Sequence, residues 1–266
     1  MIDIHCHILP GLDDGAKTAD EAVRMARIAQ KEGITAIMAT PHFMEGTFTP
    51  SADSVLAACT SLSENVRELG IALDICPGME IYLCPELDQL VRRGKVLTLN
   101  NKGRHILIEL PFDSVPSYSE EVLFSLLVDG TTPVLAHPER NDSLDLDTLG
   151  RWIEQGLLVQ ANSGSFTGFF GQRAKNKAER LLLSGMIHFI ASDGHSAGRR
   201  APLLSKAMQR VAALTCPETS RQLFTHNPHK VLQGKKIDVK PVRPVTGMSL
   251  WRKRLQCRLQ GIVREA

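Results

Sequence analysis

Two histidines one residue apart, His5 and His7, lie almost at the start of the chain, in Ile2-Asp3-Ile4-His5-Cys6-His7-Ile8-Leu9-Pro10-Gly11-Leu12-Asp13-Asp14-Gly15. A strand alternates its side chains with period two, so both imidazoles point one way and Cys6 points the other. Two imidazoles on one face can grip a single metal ion, and the polar, Gly-containing loop beyond leaves room for solvent or substrate. More residues of the same chemistry follow in short blocks: Thr40-Pro41-His42, Gly78-Met79-Glu80, Glu109, Ala136-His137-Pro138-Glu139-Arg140 and Ser192-Asp193-Gly194-His195. Nitrogen and carboxylate donors without thiolate suit manganese, iron, cobalt or zinc and disfavour calcium. Water on such ions ionises near neutral pH, and clustered ions can clamp both oxygens of an in-line displacement.

Short apolar, β-branched runs must position these groups. Strands are expected over 1–6, 35–40, 73–82, 105–110, 132–136, 157–162 and 187–192. Between them lie helical patterns: one opened by Thr18-Ala19-Asp20-Glu21 and stopped by Gly33, then 51–69, 85–93, 119–129, 145–155, 171–184 and 202–213, with shorter ones near 217–225 and 227–233. This alternation implies parallel strands joined by crossover helices. His5/His7, His42, Glu80, Glu109, His137, Asn162 and Asp193/His195 each fall at or just past a strand's C-terminal end. An open sheet would spread seven such ends along a line, whereas a barrel gathers them at one face, so a barrel is expected.

The chain has 266 residues, of which 43% are hydrophobic, enough for one substantial core. It has no run of 18 apolar residues, and its start lacks a signal-peptide pattern. The six cysteines show no C-x-x-C spacing and suggest reduced thiols in a cytoplasmic protein. The net charge of +2 is unevenly spread: residues 235–266 carry nine Lys/Arg against Asp238 and Glu265, or +7, leaving −5 for the first 234. A body of that charge offers no evident basic track for nucleic acid.

The blocks His5-Cys6-His7, Thr40-Pro41-His42, Glu80, His137-Pro138 and Asp193-Gly194-His195 resemble the PHP (polymerase and histidinol phosphatase) metallophosphoesterases. The opening 5–15 segment, His137-Pro138-Glu139-Arg140, Asn162 and Gly171-Gln172-Arg173 look like the PHP-type bacterial protein tyrosine phosphatases of capsule and exopolysaccharide synthesis. The resemblance spans roughly residues 1–233. It implies an α/β fold, a distorted TIM-like (β/α)7 barrel in residues 1–234, with a site for three divalent ions, manganese being the family's metal, at the C-terminal strand ends. A first ion would take His5, His7, Glu80 and Asp193. A second would share Glu80 and add Glu109 and His137, and a third would take Asp14, His42 and His195. Some relatives carry histidines where this chain has Asp14 and Glu109, and Asp13 competes for the role of Asp14. Five neutral imidazoles and four carboxylates sum to −4, so two divalent ions and a hydroxide would leave −1, whereas three would give +1 and attract a phosphate dianion.

The expected chemistry is direct hydrolysis by a metal-bridging hydroxide. A cysteine phosphatase needs Cys-x5-Arg, and no cysteine here has arginine six residues later. Arg140 can grip phosphate in two-pronged fashion and, with Asp14 and His42, forms the expected catalytic set. Either Arg199 or Arg200 could add a second phosphate contact. Glu139 is expected to orient its neighbours, and His105, His188, His226 and His229 to be structural or solvent-facing. Phe43, Phe48, Phe166, Phe169 and Phe170 could flank a phenol ring or simply pin loops. The expected substrate is a phosphotyrosine protein, namely a membrane-associated bacterial tyrosine autokinase. A small-molecule phosphatase such as a histidinol phosphatase is the alternative. Beyond Pro241, Pro244 and Gly247, residues Trp251, Leu255, Leu259 and Ile262 would share one face of a basic helix. That helix could touch the inner membrane surface weakly, dock a partner, or cap the barrel bottom.

Overall fold

The computed structural model describes residues 1–239; the linker at 241–247 and the amphipathic segment at 249–262 lie outside the described residues. The fold is α/β with parallel sheets. Among the described residues the strands are β1 (Ile2–Cys6), β2 (Ala36–Ala39), β3 (His42–Phe43), β4 (Asp74–Pro77), β5 (Glu80–Tyr82), β6 (His105–Glu109), β7 (Thr132–Ala136), β8 (Leu158–Asn162) and β9 (Phe189–Ala191). The α-helices are α1 (Ala19–Glu32), α2 (Ala52–Glu68), α3 (Leu87–Arg92), α4 (Ser119–Val128), α5 (Leu146–Gln155), α6 (Ser163–Thr167), α7 (Gly171–Leu183), α8 (Ser205–Leu214), α9 (Pro217–Arg221) and α10 (Asn227–Leu232). Local chemistry fixes several ends. Thr18 accepts a hydrogen bond from the Glu21 amide and Asp145 one from Thr148, which satisfies amides that have no partner inside the helix. Gly33 closes α1 at φ 82°, a conformation that suits glycine.

The strands form two parallel sheets, ordered β1-β2-β4 and β3-β5-β6-β7-β8-β9. The single strand expected over 73–82 is in fact two. Gly78 and Met79 interrupt it, so β4 pairs with β2 and β5 pairs with β3 and β6. A Cβ on Gly78 would meet Leu99 and Thr40 at 3.2 and 3.3 Å, which is why this crossing point is tight. Backbone hydrogen bonds join the two sheets in two places. Glu80 N donates to Pro41 O where β2 and β4 lead into β3 and β5, and Asp193 N donates to His5 O while His7 N donates to Gly194 O beside β1.

The core has two parts. Between sheets and helices, Cys6, Ile37 and Ala39 pack with Met25 and Ala29 of α1 and Val55 and Leu62 of α2. On the opposite face of the strands, Ile2, Ile4, Met38, Leu107, Val134, Leu158 and Phe189 pack against one another. Strand β1 changes phase between them. Asp3 pairs with Ile37 but Cys6 pairs with Ala39, so β1 uses three steps where β2 uses two. This bulge puts Ile2 and Ile4 on the inner side and Cys6 on the outer. Alternation past the bulge then turns His5 and His7 inward as well.

Two buried histidines lie away from these groups. Burial pushes the pKa of His105 and His188 down to about 4, and the Val159 amide donates to His188 Nδ1. Their protons prefer the unfolded chain, so this contribution is fully present above pH 6.5 and is lost as pH falls toward 4. On that shift, protonating each ring costs the fold about 3 kcal/mol between neutral pH and pH 4. His105 has no hydrogen-bond partner at either ring nitrogen. His105→Leu should therefore flatten the loss of stability between pH 6.5 and 4, measured by denaturant unfolding in chelator. An unchanged slope would place the acid sensitivity elsewhere.

Candidate metal centre

The strand ends bring His5, His7, Glu80 and Asp193 into mutual reach. His5 Nε2 and His7 Nε2 stand 3.1 Å apart, each 3.1 Å from Glu80 Oε2, and 3.5 and 3.6 Å from Asp193 Oδ1. Glu80 reaches a second group as well. His42 Nδ1 is 3.1 Å from Glu80 Oε2 and 3.8 Å from Glu109 Oε2, and His137 Nε2 is 2.9 Å from Glu80 Oε1 and 3.6 Å from Glu109 Oε1. At the outer edge Asp14 Oδ1 lies 3.6 Å from His42 Nε2 and 3.4 Å from His195 Nε2, with His7 also within range. All nine residues of the set implied by the resemblance thus meet at one place. His42 faces two of the groups, one with each ring nitrogen, which the sequence did not suggest.

Three of the imidazoles are aimed by bonds at their other nitrogen. His5 Nδ1 donates to Gln160 Oε1 at 2.9 Å, His7 Nδ1 to Asp13 Oδ2 at 2.6 Å and His195 Nδ1 to Asp193 O at 2.9 Å. Each bond leaves an Nε2 lone pair directed at the carboxylates, as metal-ligating histidines require. Asp13 is fully engaged in this role: besides His7 it accepts from the Gly15 and His42 amides. That separates it from Asp14, which is exposed and faces His42 and His195. A Cβ on Gly15 would lie 2.2 Å from His7 O, so only glycine lets the 13–15 loop fold back this closely.

A chain of amides extends the aiming inward. Gln160 Nε2 donates to Asn162 Oδ1, and Asn162 Nδ2 donates to Asp193 Oδ2 at 2.7 Å. Glu139 accepts from Asn162 N and Ser165 Oγ, an orienting contact away from the donor cluster. Asp3 accepts from the Ser192 and His5 amides and so ties β1 to β9; burial pushes its carboxyl up to about 6. His137 and Asp193 adopt φ of 31° and 52°, strained for non-glycine residues and typical of side chains held at a working site.

The donor set fits divalent cations. Glu80 Oε2 and His42 Nδ1 are buried, face each other and have no hydrogen-bond partner. Burial, then the charge of Glu80, pushes Glu109 up to about 8, and burial holds His42 down to about 4, leaving its ring neutral. Burial opposes charging of His5, His7 and His137, yet neighbouring carboxylates prevail and draw protons onto these rings. Cations and protons therefore compete for one set of lone pairs, and metal affinity should weaken as pH falls.

Arg140 and Arg200 border the cluster. Arg140 Nη1 donates to Asp193 Oδ2 at 3.2 Å, and its guanidinium lies 4.5 Å from the Phe112 ring centre and 4.4 Å from that of Phe170. Arg200 Nη2 donates to Asp193 O and Oδ2, whereas Arg199 turns away over Phe169 at 5.4 Å. Of the expected aromatics, Phe48 stacks on His42 at 6.1 Å, while Phe43 and Phe166 are buried in the core. Sequence reasoning missed Gln160 and Phe112. Gln160 could have been found, because a polar residue two before Asn162 shares its face of a buried strand. Nothing in the sequence singled out Phe112.

The model of the family described as "Capsular polysaccharide synthesis, CpsB/CapC" matches residues 1–233. The chain belongs to this CpsB/CapC family. It is 37% identical over 253 residues to the tyrosine-protein phosphatase YwqE of Bacillus subtilis, covering 94% of this chain and 99% of that protein. It is 30% identical over 244 residues to the tyrosine-protein phosphatase CpsB of Streptococcus pneumoniae, covering 89% and 100%. Superposition on a chain from the crystal structures of YwqE and CpsB, described as "unique metal-dependent tyrosine phosphatases", gives a TM-score of 0.87 at 37% identity, covering 92% of this chain and 100% of that one. In this CpsB/CapC chain Cys6 faces away from the donor cluster, its thiol donating to Gly194 O, and burial pushes its pKa well up. Such a thiol is unreactive. Cys6→Ala should keep metal content and turnover near wild type; loss of turnover with full metal content would implicate the sulfur.

Proposed function

We propose that the chain hydrolyses phosphotyrosine on a protein, using three divalent ions, manganese for preference, held by His5, His7, Asp14, His42, Glu80, Glu109, His137, Asp193 and His195. The observation that carries this reading is the Glu80 carboxylate, which lies within 3.1 Å of His5, His7, His42 and His137 and so stands between donor groups rather than in one. Bound there, the ions would supply the activated water for direct attack on phosphorus, with no phosphoenzyme. The chain's own residues do the rest. Arg140, clamped between Phe112 and Phe170, offers two N–H groups to phosphoryl oxygens, and Arg200, bonded to the same Asp193 Oδ2, offers a second charge. Gln160 and Asp13 hold the His5 and His7 rings in the required tautomers. The half-exposed Phe112 ring at the rim suits the phenol of a tyrosyl ester.

The two sheets are read as one distorted (β/α)7 barrel over residues 1–234, with 235–266 as a basic tail. The hydrogen bonds of Glu80 N to Pro41 O and Asp193 N to His5 O support that reading. The substrate is taken to be a membrane-associated tyrosine autokinase of capsule or exopolysaccharide synthesis; the family's own description supports the capsule setting alone. The enzyme would then work in the cytoplasm, close to the inner face of the membrane. Among the described residues no helix is long and apolar enough to cross a membrane. The test is a substrate comparison. Chelator should abolish hydrolysis of a phosphotyrosyl peptide and Mn²⁺ should restore it, with histidinol phosphate turned over far more slowly. A preference for histidinol phosphate would turn the reading to a small-molecule phosphatase.

A further inference from the structure

A cleft of about 190 Å3 opens beside Asp193, between the end of α6 with Phe169 and Phe170 on one side and Arg199–Leu203 with the start of α8 on the other. Drug-sized ligands fill about 300 Å3 or more, so this space has the size for one side chain. Its walls are mainly apolar, from Phe169, Phe170, Leu203 and Ala207. Three cations reach it: Arg199, Arg200 and Lys206. Arg200 is committed to Asp193, the one acidic residue of the lining, whose carboxylate is also held by Arg140 and Asn162. Among the described residues Arg199 and Lys206 form no ion pair, although both are long side chains on an otherwise charge-mixed surface. Phe169 and Leu203, two of the few large apolar residues left exposed, line the cleft, and a third, Phe112, packs on Arg140 together with the cleft's Phe170. Exposed apolar groups ringed by polar ones mark a surface that meets another macromolecule.

We propose that this cleft takes an acidic side chain lying close in sequence to the phosphotyrosine, so that the substrate is an acidic phosphotyrosyl peptide, with Lys206 setting the preference. This rests on the phosphotyrosine reading above. Because Asp193 belongs to both cavity and metal cluster, the cleft mouth adjoins the place where the phosphate would sit and is open to a residue flanking the phosphotyrosine. The apolar walls match the methylene stem of Glu, and Arg199 and Lys206 match its head. Phosphate binding at Arg140 and Arg200 does not involve Lys206, so the two contributions separate.

The experiment uses the full chain loaded with Mn²⁺ and a set of phosphotyrosyl peptides carrying Glu or Gln at each position from two before to two after the phosphotyrosine. At one of these positions the Glu peptide should exceed the Gln peptide about five- to tenfold in kcat/KM at low salt, and the difference should shrink at high salt. Lys206→Glu should abolish that preference and instead favour a peptide with Lys there, while hydrolysis of p-nitrophenyl phosphate stays at the wild-type rate. Binding of peptides bearing a non-hydrolysable phosphonate should show the same preference. Equal Glu and Gln values at every position, or a Glu preference that survives Lys206→Glu, would overturn the proposal. Failure of the wild type to turn over p-nitrophenyl phosphate at all would instead overturn the phosphatase reading, and phosphonate binding would still decide the cleft.

Discussion

Glu80→Gln should leave a folded protein that has lost more than one equivalent of metal and hydrolyses phosphotyrosyl peptide only at background. The amide preserves the shape of a fully buried side chain, so packing in β5 is undisturbed. What disappears is the charge at the point where His5, His7, His42 and His137 converge. A ligand belonging to one ion costs one equivalent when removed; a shared carboxylate costs the affinity of each ion it touches. Elemental analysis after gel filtration gives the stoichiometry. Melting in chelator separates this from unfolding: the imidazoles around it hold the Glu80 carboxyl well below its usual range, so the metal-free variant should melt somewhat lower than metal-free wild type but still in one cooperative transition. Loss of a single ion with turnover preserved would mean that Glu80 is not shared.

Arg140→Ala should keep every metal and lose about 10²–10³-fold in kcat/KM, the usual scale for one charge-stabilising contact. Arginine cannot ligate a metal at physiological pH, since the guanidinium has no free donor pair. Its plane is held between Phe112 and Phe170 while Nη1 reaches Asp193, so the fork is aimed before substrate arrives. Arg140→Lys should rescue poorly, because a compact ammonium can neither stack on two rings nor present two parallel N–H groups. The metal content of both variants, measured beside their kinetics, decides the matter. Near-wild-type turnover in Arg140→Ala with all metals bound would show that the cations alone handle the phosphate.

Much of this was legible in the chain because chemistry that requires particular residue types leaves them at strand ends. The alternation of strands and helices, the placement of His5/His7, Glu109, His137 and Asp193/His195 at strand C-terminal ends, and the caps at Thr18 and Gly33 follow from local periodicity and turn chemistry, whereas His42 and Glu80 instead open the short strands β3 and β5. The absence of Cys-x5-Arg needed no coordinates. Other features were settled only by tertiary contacts. Continuous apolar character over 73–82 hid a break, because the turn at Gly78 is set by its fit against Leu99 and Thr40, residues distant in sequence. Simple alternation from Ile2 and Ile4 would have turned His5 and His7 toward the helices. The bulge against β2 reverses the phase, and a register is a property of two strands. Asp13 and Asp14 are identical in type and adjacent; only the fold of the 13–15 loop under His7 makes one an orienting partner and leaves the other facing His42 and His195. Arg199 and Arg200 were likewise indistinguishable until the loop turned one onto Asp193 and the other onto Phe169. Residue type and spacing determined which chemistry was possible; pairing across the sheets decided which atoms point where, because side-chain direction depends on neighbours that the sequence does not place side by side.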